Sequence, residues 1–340
     1  MPPYYPVGKL PAEDLDRILR RYASGSDPRM LVGPGIGRDA AVISFGSSVL
    51  VTKTDPITFA TEEIGWYAVN INANDVAAMG ATPRWFLTTI LLPEAKTDPD
   101  LVDRIFSGLS DACRELGVTL AGGHTEITHG LDRPLLIGQM LGETTPDGYV
   151  TGSGARVGDR ILLTKGIAIE ATALIAMERS DEVRARFSDG FLETCRLYLR
   201  RPGLSVVRES RIAMETGGVH AMHDPTEGGV ASGLREIAVA SDVGMLIEED
   251  RLPLLPESEA LCSFYGLDPL GVIASGALLI VVDADRADPV TARLSEAGIP
   301  VAVIGSIEPP GYGIRIRRDG SVVDLPTFDR DEIGKVFEAS

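Results

Sequence analysis

The sequence predicts a two-domain protein of the α/β or α+β class. Three observations carry this. The chain has 340 residues, 44% of them hydrophobic and 24% charged, enough apolar material for two cores. Apolar runs that read as strands alternate with amphipathic stretches that read as helices. Between the halves lies a segment rich in Gly, Pro, Thr and Ser, from Thr144 to Asp159. We place the boundary near Tyr149 to Gly154, giving domains of residues 1–150 and 151–340.

Residues 9–23 carry Leu10, Leu15, Ile18, Leu19 and Tyr22 at helical spacing, entered after Pro11. Ala40 to Ser44 and Ser48 to Thr54 read as strands joined by a Phe45-Gly46-Ser47 turn. A helix follows with Ile64, Ala68, Ile71, Asp75 and Met79 on one stripe. Trp85 to Leu92 is a strand, Pro99 to Leu116 a helix, and Val118 to Ala121 a strand running into a polar loop, Gly122 to Thr128. Leu135 to Glu143 closes the first half.

The second half opens with strand Arg160 to Thr164 and a helix containing Ala171, Leu174, Ile175 and Ala176. Helices are expected at Phe191 to Arg200, Ser205 to Thr216, Glu257 to Tyr265 and Asp288 to Ala297. A strand at Val219 to Met222 leads into a helix opened by His223-Asp224-Pro225-Thr226-Glu227-Gly228-Gly229. Further strands are expected at Val243 to Glu248, Ala277 to Val282 and Val301 to Ile307, and Arg318-Asp319-Gly320 marks a hairpin.

Chemistry concentrates between Gly33 and Ala81. Asp39 precedes the first strand of the hairpin and Asp55 follows the second, so the two acids flank one end and suit a shared cation. Asp75 lies on the apolar stripe of its helix, where a carboxylate is costly unless paired, neutralised or metal-bound. Asn70 and Asn74, four apart, form a neighbouring polar row that suits a ligand or the acids. Gly35 and Gly37 allow close backbone approach to a phosphate, although the loop is neither G-x-G-x-x-G nor a Walker A sequence. His124 and Glu126 bring polar groups to the Gly122-Gly123 loop, and a neutral imidazole there can accept a proton or bind metal.

A net charge of −17 argues against nonspecific nucleic-acid binding and an anionic membrane surface. Cys113, Cys195 and Cys262 form no ligand cluster and read as buried thiols of a reducing compartment. With no leader-like start and no run of about 20 apolar residues, the expected location is the cytoplasm.

Gly37-Arg38-Asp39-Ala40-Ala41-Val42, Thr54-Asp55 and Asn74-Asp75-Val76-Ala77-Ala78-Met79-Gly80-Ala81 resemble the pattern of the aminoimidazole-ribonucleotide synthetase (PurM-like) superfamily. Asp224-Pro225-Thr226-Glu227-Gly228-Gly229 with Gly266-Leu267-Asp268-Pro269-Leu270 is most similar to its HypE-like hydrogenase-maturation branch. There Asp-Pro-Thr-Arg-Gly-Gly is usual, so Glu227 reverses a charge. The resemblance spans about Gly33 to Leu325.

It implies an α+β fold in which the first domain contributes to a dimer-spanning β-barrel and the second, of α/β type, closes a nucleotide cleft. It further implies a homodimer using ATP and Mg²⁺, with the metal on Asp39, Asp55 and Asp75. Gly37, Lys53, Thr54, Asn70, Asn74, Gly122, Gly123 and Thr125 would hold the nucleotide. His124, Glu126, Asp224 and Glu227 would orient the acceptor or move its proton. The implied reaction phosphorylates a carboxamide oxygen and eliminates phosphate to leave a nitrile. Alternatives are a thiamine-monophosphate kinase-like transfer and an ATP-binding maturation or regulatory partner with little turnover. HypE proteins carry their substrate on a C-terminal cysteine, whereas this sequence ends Lys335-Val-Phe-Glu-Ala-Ser340. The expectation is therefore that the acceptor is a free molecule or another protein's side chain, or that the chemistry has diverged.

Overall fold

The computed structural model describes residues 10, 12–23, 27–35, 39–58 and 63–337. Gly37, named above for close approach to a phosphate, lies outside them.

The first half contains α1 (Ala12–Tyr22), β1 (Met30–Val32), β2 (Ala41–Phe45), β3 (Ser48–Ile57), α2 (Ile64–Ala78), β4 (Thr82–Pro93), α3 (Pro99–Leu116), β5 (Thr119–Thr128) and β6 (Leu135–Thr144). Its strands form a six-stranded mixed sheet in the order β1-β2-β3-β6-β4-β5. Only β4 and β5 run parallel, joined by the crossover helix α3, as a parallel pair requires. Among the described residues this sheet is open, with β5 at one edge, and the single chain closes no barrel.

The second half contains β7 (Arg160–Thr164), α4 (Ile169–Glu178), α5 (Ser180–Arg186), α6 (Asp189–Arg196), α7 (Val207–Thr216), β8 (Val219–His223), α8 (Gly229–Ser241), β9 (Gly244–Glu248), α9 (Pro256–Tyr265), β10 (Leu279–Val282), α10 (Ala287–Glu296), β11 (Val301–Glu308), β12 (Ile314–Arg318), β13 (Ser321–Asp324) and α11 (Gly334–Phe337). Its seven-stranded sheet runs β13-β12-β9-β11-β7-β10-β8. The two mixed sheets with their helices make the molecule α+β.

Two expectations need correction. The helix carrying Asp75 is not amphipathic, because every residue of α2 is buried. It packs between the first sheet, α3 and α7, and the surrounding core includes Ile169, Leu174, Tyr198 and Leu204 from the second half. An apolar helix enclosed on all sides shows no face. The expected loop at Gly122 to Thr128 is instead the body of β5. Gly123 has φ +146°, and a Cβ there would collide with the Thr88 carbonyl, so only glycine lets β5 lie this close to β4. No described helix is long and apolar enough to cross a membrane.

Candidate functional site

Strand alternation sends Lys53 and Asp55 of β3 toward α2 and Thr54 the other way. Lys53 Nζ lies 2.9 Å from Asp75 Oδ1. Asn72, one turn before Asp75 on α2, fixes Asp55 through its backbone: the Asp55 N–H donates to Asn72 Oδ1 at 2.9 Å, and Asn72 Nδ2 donates to the Asp55 carbonyl at 3.3 Å. Gly138, opposite Asp55 on β6, makes room for this clamp, since a Cβ there would strike the Asn72 amide.

The second half contributes from the end of β8. His223 Nδ1 lies 3.1 Å from the Asp39 carboxylate and its Nε2 lies 2.8 Å from Glu236 Oε2 on α8. Ligand atoms of Asp39, His223 and Asp224 all fall within 4.8 Å of one another. The buried oxygens Asp75 Oδ2 and Asp224 Oδ1 accept no hydrogen bond among the described residues.

Electrostatics tie these groups together. Burial raises the Asp75 carboxyl to about 7; Lys53 opposes this, while Asp55 and Asp39 reinforce it. Asp224 is pushed well above the usual carboxylate range by burial, then by Asp75 and Asp39. Burial alone would lower His223, but Asp39 and Glu236 overcome it and hold the imidazole well above its ordinary value, hence protonated. Lys53 is likewise raised by Asp75, Asp55 and Asp39 against its burial. Four aspartates thus converge on two buried cations, with two carboxylate oxygens still open. Hard oxygen donors in this number suit a divalent cation such as Mg²⁺.

The structure separates the remaining expected residues. Asn74 is a correction, because its side chain is given to the domain junction. Its Nδ2 donates to the Leu204 carbonyl at 2.8 Å and its Oδ1 accepts from the Val206 N–H at 2.9 Å. Asn70 lines a cavity beside Trp66 whose wall includes Leu204 and Ser205, so the Asn70 and Asn74 row faces the 204–206 segment. Thr54 Oγ1 donates to the Gly138 carbonyl on the far side of β3. Gly122, Gly123, His124, Thr125 and Glu126 all lie on exposed β5. His124 Nε2 meets Glu126 at 3.1 Å, and the register puts this pair on the opposite sheet face from Asp55. Three strand spacings, about 14 Å, also intervene. Glu227 is exposed on the loop after Asp224, beside buried Glu170 and Asp331.

Sequence reasoning missed Asn72, His223 and Glu236. His223 adjoins the Asp224 motif, which was a usable signal. Asn72 and Glu236 had none, since their roles depend on partners from other elements.

The sequence pattern of AIR synthase related protein, N-terminal domain, matches residues 37–144, and that of the corresponding C-terminal domain matches residues 156–317. Carbamoyl dehydratase HypE of Rhizobium leguminosarum bv. viciae is 32% identical over 282 residues, covering 80% of this chain and 77% of that protein. The chain belongs to the AIR synthase related family. Within that family, hydrogenase maturation protein HypE in complex with ATP superposes with a TM-score of 0.71 at 25% identity, covering 97% of this chain and 98% of that one. AaThiL complexed with AMPPCP and TMP gives 0.73 at 24% identity over 92% and 94% of the two chains, a likeness of fold.

Proposed function

We propose that this protein is an ATP- and Mg²⁺-dependent enzyme that activates an amide-type carbonyl oxygen by phosphorylation. The observation that carries the reading is the convergence of Asp39, Asp55, Asp75 and Asp224 from both halves of the chain, with open oxygens on Asp75 and Asp224. The HypE relatives, named for carbamoyl dehydration and solved with ATP, supply the reaction class.

In this reading residues 1–150 bind the nucleotide and residues 151–340 close over it. Asp39, Asp55, Asp75 and Asp224 would hold the metal, which would supply positive charge against the triphosphate. Lys53 keeps Asp75 aimed at the cleft and adds positive charge beside the phosphates. Protonated His223, braced by Glu236, fixes the Asp39 carboxylate. The amide oxygen attacks the γ-phosphorus and ADP leaves; loss of the amide protons and of phosphate then yields a nitrile.

His124 and Glu126 cannot reach the acids of their own chain, so their part in the reaction requires a homodimer. The exposed β5 edge, with Leu120 and Ile127 uncovered, suits pairing with a second copy into a shared barrel. Product analysis with ATP, Mg²⁺ and a panel of small carboxamides and thiamine monophosphate tests the reading. Amide-stimulated ADP and phosphate with a nitrile product supports it. A phosphorylated acceptor would replace it with a kinase, and nucleotide binding without acceptor-stimulated turnover would replace it with a regulatory partner.

A further inference from the structure

Apart from the acid cluster, the seam between the halves holds a cavity of 340 Å³. Trp66 and Asn70 of α2, Glu115 of α3, and Lys165, Arg200 and Arg208 from the second half contribute to its walls. The volume falls at the lower end of small-molecule sites, about 300–1,000 Å³.

Most of its charges are already matched. Arg200 stacks 3.9 Å above the Trp66 ring centroid and pairs with Glu63 at 3.0 Å. Lys165 Nζ is taken by Glu209 at 2.8 Å and by the carbonyls of Gly203 and Ser205 at 2.9 and 2.7 Å. Arg208 has no ion pair or side-chain hydrogen bond among the described residues, so its charge is left over. With Glu63, Glu115 and Glu209 set against Arg200, Lys165 and Arg208, the charges of the site balance, and the one positive charge without a partner among the described residues is that of Arg208.

Two further features point inward. Helix α7 begins at the cavity; its N-cap Val206 offers no side-chain acceptor, and although the Val206 and Val207 N–H groups reach Asn74 Oδ1 and Ser205 Oγ, the helix start carries a partial positive charge. Asn70 is 1% exposed and donates from Nδ2 to the Trp66 carbonyl at 3.0 Å. Its Oδ1 has no hydrogen bond among the described residues, which leaves an acceptor open to the cavity.

We propose that this cavity binds a small organic anion that also carries a hydrogen-bond donor, a carboxylate or a phosphate ester. The anionic group meets Arg208 and the first turn of α7, and the donor meets Asn70 Oδ1. Because Asn74, next to Asp75, holds the 204–206 wall, an occupant braces the junction that positions the acid cluster.

The chain has two tryptophans, so a Trp85→Phe protein leaves Trp66 as the local reporter. Its emission is titrated with glycolate, inorganic phosphate and acetate, with saturating Mg-AMPPCP present to fill the nucleotide cleft. The expected result is a saturable change with glycolate or phosphate, weaker with acetate, which lacks the donor. Glycolate alone identifies a carboxylate ligand, and phosphate alone a phosphate ester. Arg208→Glu, at an exposed position, should weaken the response about tenfold or more, the value of one charge-assisted hydrogen bond. The absence of a saturable change with either probe, or an equal response in Arg208→Glu, overturns the proposal.

Discussion

Lys53 Nζ sits 2.9 Å from Asp75 Oδ1, while the other oxygen of the same carboxylate is buried without a hydrogen-bond partner among the described residues. The ion pair compensates one oxygen of the acid, and the same carboxyl group feels the charges of Asp39, Asp55 and Asp224. A buried carboxylate completed on one side by lysine has its other side free for a second cation.

This arrangement makes metal binding depend on pH. Burial lifts Asp75 to about 7 from an ordinary 3.8, so the folded, metal-free chain keeps a proton that the unfolded chain releases. Its contribution to stability without metal therefore falls as pH rises from about 4 to 7. A cation must displace that proton, and the Asp224 proton with it, so Mg²⁺ affinity should rise with pH up to at least 7, by up to about tenfold per pH unit for each proton displaced. Calorimetry in buffers of different ionisation enthalpy should find net proton release at pH 6 and less at pH 8. Affinity independent of pH across that range would remove Asp75 from the metal site.

His223 acts through Asp39. His223→Gln keeps a polar side chain but loses the positive charge between Asp39 and Glu236. Groups that orient a metal ligand typically contribute about 10- to 100-fold in affinity or activity. A loss of that size is expected in metal-dependent nucleotide binding, with the fold intact by circular dichroism. An unchanged dissociation constant would leave the histidine a purely structural role.

Asn74 is expected to behave differently from its neighbour. Asn74→Ala removes two hydrogen bonds to the 204–206 backbone and should cost about 2 kcal/mol of stability. Denaturant titration measures this directly. A variant of wild-type stability that no longer binds nucleotide would instead return Asn74 to the binding site.

The shared-site dimer predicts complementation. If the acids of one copy work with β5 of the other, Asp75→Asn and His124→Ala proteins should each be poor alone. Refolded together in equal amounts, they should recover about a quarter of wild-type activity, because half the dimers are mixed and each carries one intact site. No recovery in a verified mixed dimer would confine each site to one chain.

How much of this was legible beforehand depended on whether the information was local. Asp75 stood out because a carboxylate among apolar residues is conspicuous whichever way the helix faces. The expected helix from Pro99 to Leu116 matches α3, which proline at its start and a left-handed Gly117 after its end delimit locally. Strand β5 was misread because an edge strand exposed on both faces has no alternation, and its paired glycines mimic a turn. Asn72 was invisible because its role exists only where Gly138 leaves space, on a strand distant in sequence. His223 needed Asp39 and Glu236, from two other elements, to become a charged brace.

The most direct test of the acid cluster is Mg²⁺-dependent binding of AMPPCP to the wild-type protein and to Asp75→Asn, measured by calorimetry with circular dichroism as the control for folding. Tight binding by the wild type only when Mg²⁺ is present, weakened about 100-fold or more in a folded Asp75→Asn protein, is the predicted result. Equal affinity in the two proteins, or wild-type binding indifferent to Mg²⁺, would contradict it.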